Sequence, residues 1–436
     1  MTSVRARRLA PGMRLVALAA ALSMAAVAGA QSPPADNGTA DTESAPAAPP
    51  AAAAVVAAPL GLLLADSELV YGPTLYGFDV EAFVAGHDGY LAAYRESIEG
   101  EELSGAAIVR RVAEDFSVGP RVLLALIEAH SGWVTRPEPE QRAFAVDEPV
   151  AGLRDGLVMA ADALNTAYYA HRLQERRSIV LSDGTELAVP DTNPGTFAVL
   201  AVTWRGATAA TWGGMSGPSR FHAAWTRLFG DPSTYDVVAT LPPDIPHVDL
   251  ALPFPSGEVW FFTAAPHPPW GTGAAPAAID FSPPPESAEG CHPSGASVTA
   301  VAAGRVVRSR PSGVLVDPDL DGDAFEGTGW THVYLHLSTT GRVAAGTELA
   351  AGQFVGYPSC EGGMGGQTRL AFARRYNGEW IAAQHPPAPL ILGGWMVVAG
   401  GEPGTAFLAR AGLPARPAMP EKSAAQNGVA WLPEGP

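Results

Sequence analysis

Apolar and polar positions change rhythm along the chain. Ile108, Val112 and Phe116, then Val122, Leu123, Leu126 and Ile127, recur at helical spacing, the mark of a helix with one buried face. They predict helices over 104–116 and 119–130, the second with Pro120 in its first turn. Leu153, Leu157, Ala161, Leu164 and Tyr168 extend the same period over 148–176. Two short apolar runs, 179–181 and 185–189, flank Ser182-Asp183-Gly184 and read as a β-hairpin with its turn. Helical spacing returns over 196–210 and 217–229. Past Leu241-Pro242-Pro243 the pattern becomes short β-like runs between Gly, Pro and Asp turns: Val259–Thr263, Ser297–Ala302, Gly304–Val307, Gly313–Val316, His332–His336 and Thr368–Ala373. The fold class is therefore multidomain α and β. A mainly helical domain (66–242) precedes an all-β domain (243–403) and a loose tail (404–436). Residues 31–65, mostly Ala and Pro without an apolar period, read as a disordered linker.

The first 30 residues carry a different signal. Arg5, Arg7, Arg8 and Arg14 precede an apolar run from Leu15 to Val27, and Ala28-Gly29-Ala30 supplies the small residues of a cleavage site. This is the pattern of a signal peptide. The run is shorter than the roughly 20 residues a span needs, so the expected product is secreted to the extracytoplasmic envelope, with no membrane span left after processing. At 436 residues and 47% hydrophobic content, the chain is long enough for two sizeable cores. Its 44 acidic against 27 basic residues give −17 without a basic stripe, which speaks against nucleic acid as a partner. The two cysteines, Cys291 and Cys360, are too few for a cysteine-rich metal cage. In an oxidising compartment they can close one disulfide around a loop of about 70 residues, worth about 4 kcal/mol; the alternative is two free thiols.

The β domain holds an ordered series of motifs. Pro266-His267-Pro268 is followed by Ile279-Asp280-Phe281, and then by Val301-Ala302-Ala303-Gly304-Arg305-Val306. Tyr334-Leu335-His336-Leu337 comes next, and then Val343-Ala344-Ala345-Gly346 with Ala351-Gly352-Gln353. Cys360-Glu361-Gly362-Gly363 and Arg375-Tyr376-Asn377-Gly378 close the series. Together they resemble the lysostaphin, LytM and staphylolysin (β-lytic) zinc metalloendopeptidases, nearest to the staphylolysin branch. The resemblance implies a secreted enzyme of duplicated-hybrid-motif fold that cuts peptide crosslinks of bacterial peptidoglycan. It also implies a zinc held by the first His, the Asp and the second His of an H-x-H strand. Catalytic zinc keeps three protein ligands and an open position for water. By that resemblance His267 and Asp280 are metal ligands, and His336 is the accessory catalytic histidine.

The last motif departs from the pattern. Where the family reads T-G-P-H-L-H-F, this chain reads Gly366-Gln367-Thr368-Arg369-Leu370-Ala371-Phe372. Arg369 takes the catalytic histidine's place and Ala371 the third ligand's. Alanine offers no donor atom, and arginine stays cationic, so it neither ligates nor acts as a base. A substitute ligand would have to come from His332, expected on the strand face of His336, or from His292 or His385. Asp317, Asp319, Asp321, Gly322 and Asp323 begin like a calcium loop, but the twelfth position is Thr328 where such a loop needs Glu.

In the helical domain, Val122 to Trp133 faintly resembles the catalytic helix of lytic transglycosylases, which makes a lysozyme-like fold one reading of this half. His130 stands in the position of that family's acid, and Glu128 lies two residues away, on another helix face. Three functions are consistent with these residues. One is a catalytically degenerate protein that binds peptidoglycan or cell-wall peptides. Another is an active zinc endopeptidase with an unusual third ligand. The last is a structural envelope scaffold.

Overall fold

A computed structural model describes residues 61–139, 152–236, 240–318, 323, 325–362 and 366–431, and the backbone of Val55–Val56. The signal-peptide reading of 1–30, most of the linker and the calcium candidates Asp319 and Asp321 lie outside the described residues. Among the described residues no helix is long and apolar enough to cross a membrane.

The helical half is built from Gly105–Phe116, Pro120–Ser131, Leu153–Gln174, Pro194–Thr203 and Gly217–Phe229. Ser104 caps the first of these, its hydroxyl accepting from Ala107 N at 3.1 Å. The helix expected over 196–210 is shorter because Gly206 turns back with φ +77°. The hairpin forms from Ser178–Val180 and Glu186–Ala188, and the Val55–Val56 backbone adds to it as a third strand, parallel to Glu186–Ala188. A second hairpin, Arg95–Ile98 with Glu101–Ser104, has no alternating pattern to announce it.

The β half centres on a nine-stranded antiparallel sheet. Its path runs Glu348–Leu349, Gly304–Arg310, Ser312–Asp317, Trp330–Leu337, Leu370–Tyr376, Ala278–Ser282, Val259–His267 and Gly428–Ala430, with Glu379–Trp380 attached to Leu370–Tyr376. The expected loose tail over 404–436 is corrected. Ala406–Ala409 and Arg416–Pro417 belong to a four-stranded sheet, and Gly428–Ala430 closes the edge of the large one. There Leu408 and Val429 are fully buried, so the segment is held by apolar burial that its Ala/Pro content conceals.

Among the described residues two large cores form beside a small cluster around Trp330, but the large sheet divides the two rather than the boundary near residue 242. Side chains alternate across a strand. Val314, Tyr334, Leu370 and Phe372 point into a core shared with Trp260, Phe262 and Trp395. Leu315, Val333, Leu335, Ala371 and Ala373 point the other way, into a core continuous with Val112, Phe116, Leu164 and Phe197 of the helical half. Polar ties reinforce this second contact. The fully buried Arg375 donates to Ser117 Oγ at 2.9 Å and pairs with Glu326 at 3.5 Å. Arg308 reaches Asp115 and Glu326, each at 2.9 Å. Buried Glu379 takes Arg172 from the long helix at 2.9 Å. Burial makes such groups costly unless paired, and here each charge meets an opposite one.

Candidate functional site

Four predicted side chains meet on the sheet face that looks toward the helical half. His267 ends its strand where the ladder to Ala278–Ser282 slips register. Its Nε2 lies 2.9 Å from Asp280 Oδ1 and its Nδ1 2.9 Å from the Pro268 carbonyl. Both ring nitrogens thus face oxygen atoms. Burial lowers its pKa, but the hydrogen bond and charge of Asp280 outweigh that and leave it above the ordinary histidine value.

His336 is the opposite case. Its Nδ1 donates to the Glu361 carbonyl at 2.9 Å, and its Nε2 accepts from Arg369 Nη2 at 3.1 Å. Burial and then the Arg369 charge push its pKa down, so it is neutral with its lone pair already used. The backbone explains how it reaches this face. His336 has φ +60°, a left-handed conformation uncommon for a side-chain-bearing residue. The pairing with Ser312–Asp317 slips at the same point, between Ser312 and Gly313. This bulge re-aims one side chain. The expectation that His332 shares a face with His336 is corrected accordingly. His332 packs on Phe372, 5.9 Å between ring centroids, and is buried across the ladder from Arg374. His292 bonds Thr368, and His385 sits in the turn before Ala388.

Arg369 joins the group. Its Nε is 3.0 Å from Asp280 Oδ2, while Nη2 serves His336. Ala371 sits directly across the ladder from Asp280, fully buried, and contributes a methyl group. A catalytic zinc does not fit these residues. It needs three protein ligands with available lone pairs, whereas His336 is engaged by Arg369, Arg369 is itself a cation and Ala371 has no donor, which leaves only His267 and Asp280. Among the described residues no group of three or more His, Cys, Asp or Glu could hold a metal ion. That finding leaves the calcium expectation unsupported as well: Asp323 accepts from Phe325 N at 2.8 Å within its own turn, and Asp317 lies buried in a strand.

Cys291 and Cys360 are bonded, with Cα atoms 5.8 Å apart. The bridge ties the loop carrying His292 to the turn whose Glu361 carbonyl fixes His336. The loop after His267 is anchored from the helical half, a contact no motif indicated. Asp162 of the Leu153–Gln174 helix accepts from Thr272 N at 2.7 Å, Thr272 Oγ1 at 2.6 Å and Gly273 N at 2.8 Å. A Cβ at Gly271 or Gly273 would collide with this helix, which explains the glycines. Between the two halves lies a crevice of about 190 Å³, lined in part by Phe116, Trp270, Arg310 and Glu361.

Glu128 has no acid's environment. It is buried, accepts from Val134 N, Thr135 N and Thr135 Oγ1, and pairs with Arg227 at 2.7 Å. It therefore secures the turn after its helix, and His130 beside it is exposed.

Residues 62–243 match a family model described as "LasA, N-terminal domain", and residues 290–383 match "Peptidase family M23". No curated protein matches the chain. Among solved structures, the deep-sea M23 metalloprotease pseudoalterin is 18% identical, covering 39% of this chain and 98% of its own, with a TM-score of 0.31. The catalytic domain of lysostaphin from Staphylococcus simulans is 20% identical, covering 29% and 90%, with a TM-score of 0.21. A zinc-containing peptidase from Vibrio cholerae is 18% identical, covering 32% and 41%, with a TM-score of 0.22. The C-terminal β domain of this chain thus resembles the lysostaphin/LytM peptidases of family M23, joined to a helical half that resembles the N-terminal domain of LasA.

Proposed function

We propose that this chain is an exported, cell-envelope protein whose peptidase-type groove binds cell-wall peptides without cutting them. The observation that carries this reading is Arg369, which spans Asp280 and His336 with a fixed positive charge while Ala371 stands opposite Asp280 without a donor. A guanidinium neutralises the carboxylate as a divalent cation would, yet it cannot polarise a scissile carbonyl as a Lewis acid or deliver an activated water.

The test uses the purified chain saturated with zinc and then freed of loose metal. Well under one bound zinc per chain, no cleavage of Gly-rich crosslink peptides, and cosedimentation with purified peptidoglycan are expected. A chain that holds a full zinc and cleaves these peptides until chelator is added would be an active endopeptidase. A chain that neither cleaves nor sediments would be a scaffold.

A further inference from the structure

Each cysteine of the bridge stands between two residues that hold either the ring of His336 or the start of the Leu370–Tyr376 strand. On one side, Gly290 O accepts from Thr368 N at 3.1 Å. His292 N donates to Thr368 Oγ1 at 2.9 Å, and that hydroxyl donates to His292 O at 2.7 Å. On the other side, Ser359 N and Oγ donate to His336 O at 2.7 and 3.0 Å, and Ser359 O accepts from Arg369 N at 3.0 Å. Glu361 takes His336 Nδ1 on its carbonyl, and its carboxylate accepts from Thr339 N and Oγ1 at 2.8 and 2.6 Å. The sheet does not depend on this tie. The strands inside the closed loop pair through their own ladders, with Val314, Val333 and Tyr334 buried between them. The bridge itself is near the surface, Cys291 exposed and Cys360 half-buried, and an exposed disulfide is open to thiol attack.

We propose that the Cys291–Cys360 bridge is a redox-operated clasp on the groove, closed by oxidation and opened by a dithiol; its effect on binding rests on the peptide-binding role given above. A thiolate of the reductant attacks the sulfur of Cys291, the S–S bond breaks, and Cys360 leaves as a thiolate that takes up a proton. The reductant's second thiol then displaces Cys291, so the chain gains two electrons and two protons and the dithiol becomes a disulfide. The 359–361 turn is thereby released from the 290–292 loop. His336 Nδ1 loses its fixed acceptor. The tautomer of an imidazole is set by the hydrogen bond one of its nitrogens makes, so the lone pair that receives Arg369 is no longer held in place. Opening therefore loosens the Arg369–His336 pair and the groove around it. No other thiol competes, since Cys291 and Cys360 are the chain's only cysteines.

The full chain is compared before and after dithiothreitol, by NMR of its backbone amides and histidine rings and by cosedimentation with purified peptidoglycan. Reduction should shift the amides of Thr339, Ser359, Glu361, Thr368 and Arg369 and the ring nitrogens of His336, and leave the amides of Val314, Leu315 and Val333 in place. Affinity for peptidoglycan should fall about tenfold as the groove loses these hydrogen bonds, and reoxidation should restore both signals. Cys291→Ser with Cys360→Ser should match the reduced chain and ignore the reductant. Unshifted resonances at the five amides overturn the clasp. Collapse of the whole sheet spectrum on reduction overturns it too, because the bridge would then be a staple of the entire fold. Shifted resonances with equal affinity in the two forms overturn its control of binding. If neither form sediments, the peptide-binding role falls, while the five amides still decide the clasp.

Discussion

The guanidinium of Arg369 lies 3.0 Å from the Asp280 carboxylate, directly beside the ladder position where Ala371 faces the same aspartate. Arg369→His with Ala371→His should therefore free Asp280 for a metal and supply the missing nitrogens. The double variant is expected to take up a single zinc, well above what the native chain retains under the same dialysis. It should also lose about 1–3 kcal/mol of stability, because residue 371 is packed without space. Metal content after dialysis and a urea melt check both parts. A double variant as free of zinc as the native chain would show that the remaining geometry no longer suits a metal.

Acid sensitivity should trace to His332. Burial, and then nearby Arg374, push its pKa down to about 3, and among the described residues neither ring nitrogen has a hydrogen-bond partner. The unfolded residue titrates near the ordinary histidine value of about 6.5. Stability is thus complete above that value and is lost on acidification toward the folded one, at up to about 1.4 kcal/mol per pH unit for this residue. His332→Phe should flatten the slope of unfolding free energy against pH between roughly pH 6 and pH 4. An unchanged slope would assign the acid limb elsewhere, for instance to His171, whose pKa falls to about 4 by burial. His267 works in the opposite sense: its raised pKa gives stability that fades as pH climbs through the folded value.

At position 336 the usual ranking of glycine and alanine should invert. Glycine normally weakens a strand, but φ here is +60°, which costs a side-chain-bearing residue about 1–2 kcal/mol. His336→Gly should therefore be more stable than His336→Ala by about 1 kcal/mol. Paired denaturant curves decide it, and the ordinary order would mean that the left-handed turn relaxes.

Replacing Cys291 and Cys360 by Ser should lower stability by about 4 kcal/mol if the chain-entropy account of a loop this size holds. The 69-residue separation sets that figure. Thermal melts of the oxidised, reduced and double-Ser proteins should place the last two together, well below the first. Coincident melts of all three would remove the bridge from the stability account.

Much of this molecule is legible in residue pattern, and the illegible parts share a cause. Ile108, Val112 and Phe116 announce their helix because one face alone is buried. The ordered motifs locate His267, Asp280, His336 and Arg369, because those strands pair with neighbours whose turns are also patterned. Sequence alternation fails at His336, since a bulge is a backbone event and leaves no mark in residue type. It fails for the final strands because their burial depends on distant partners: Val429 pairs with Trp260. The pairing of Arg369 with two groups at once is equally invisible, since an Arg-for-His exchange discloses the lost base but not the carboxylate that will hold the new cation.

The core that runs from Val112 and Leu164 into Leu335, Ala371 and Ala373 bears on the life of the chain after synthesis. Neither half can expose that surface to water without losing the burial that holds it folded. A protease that cut the backbone between the halves would leave a nicked particle whose two pieces remain together and melt in a single step. The helical half then behaves as a permanent subunit of the sheet, held by packing even where the covalent link is gone.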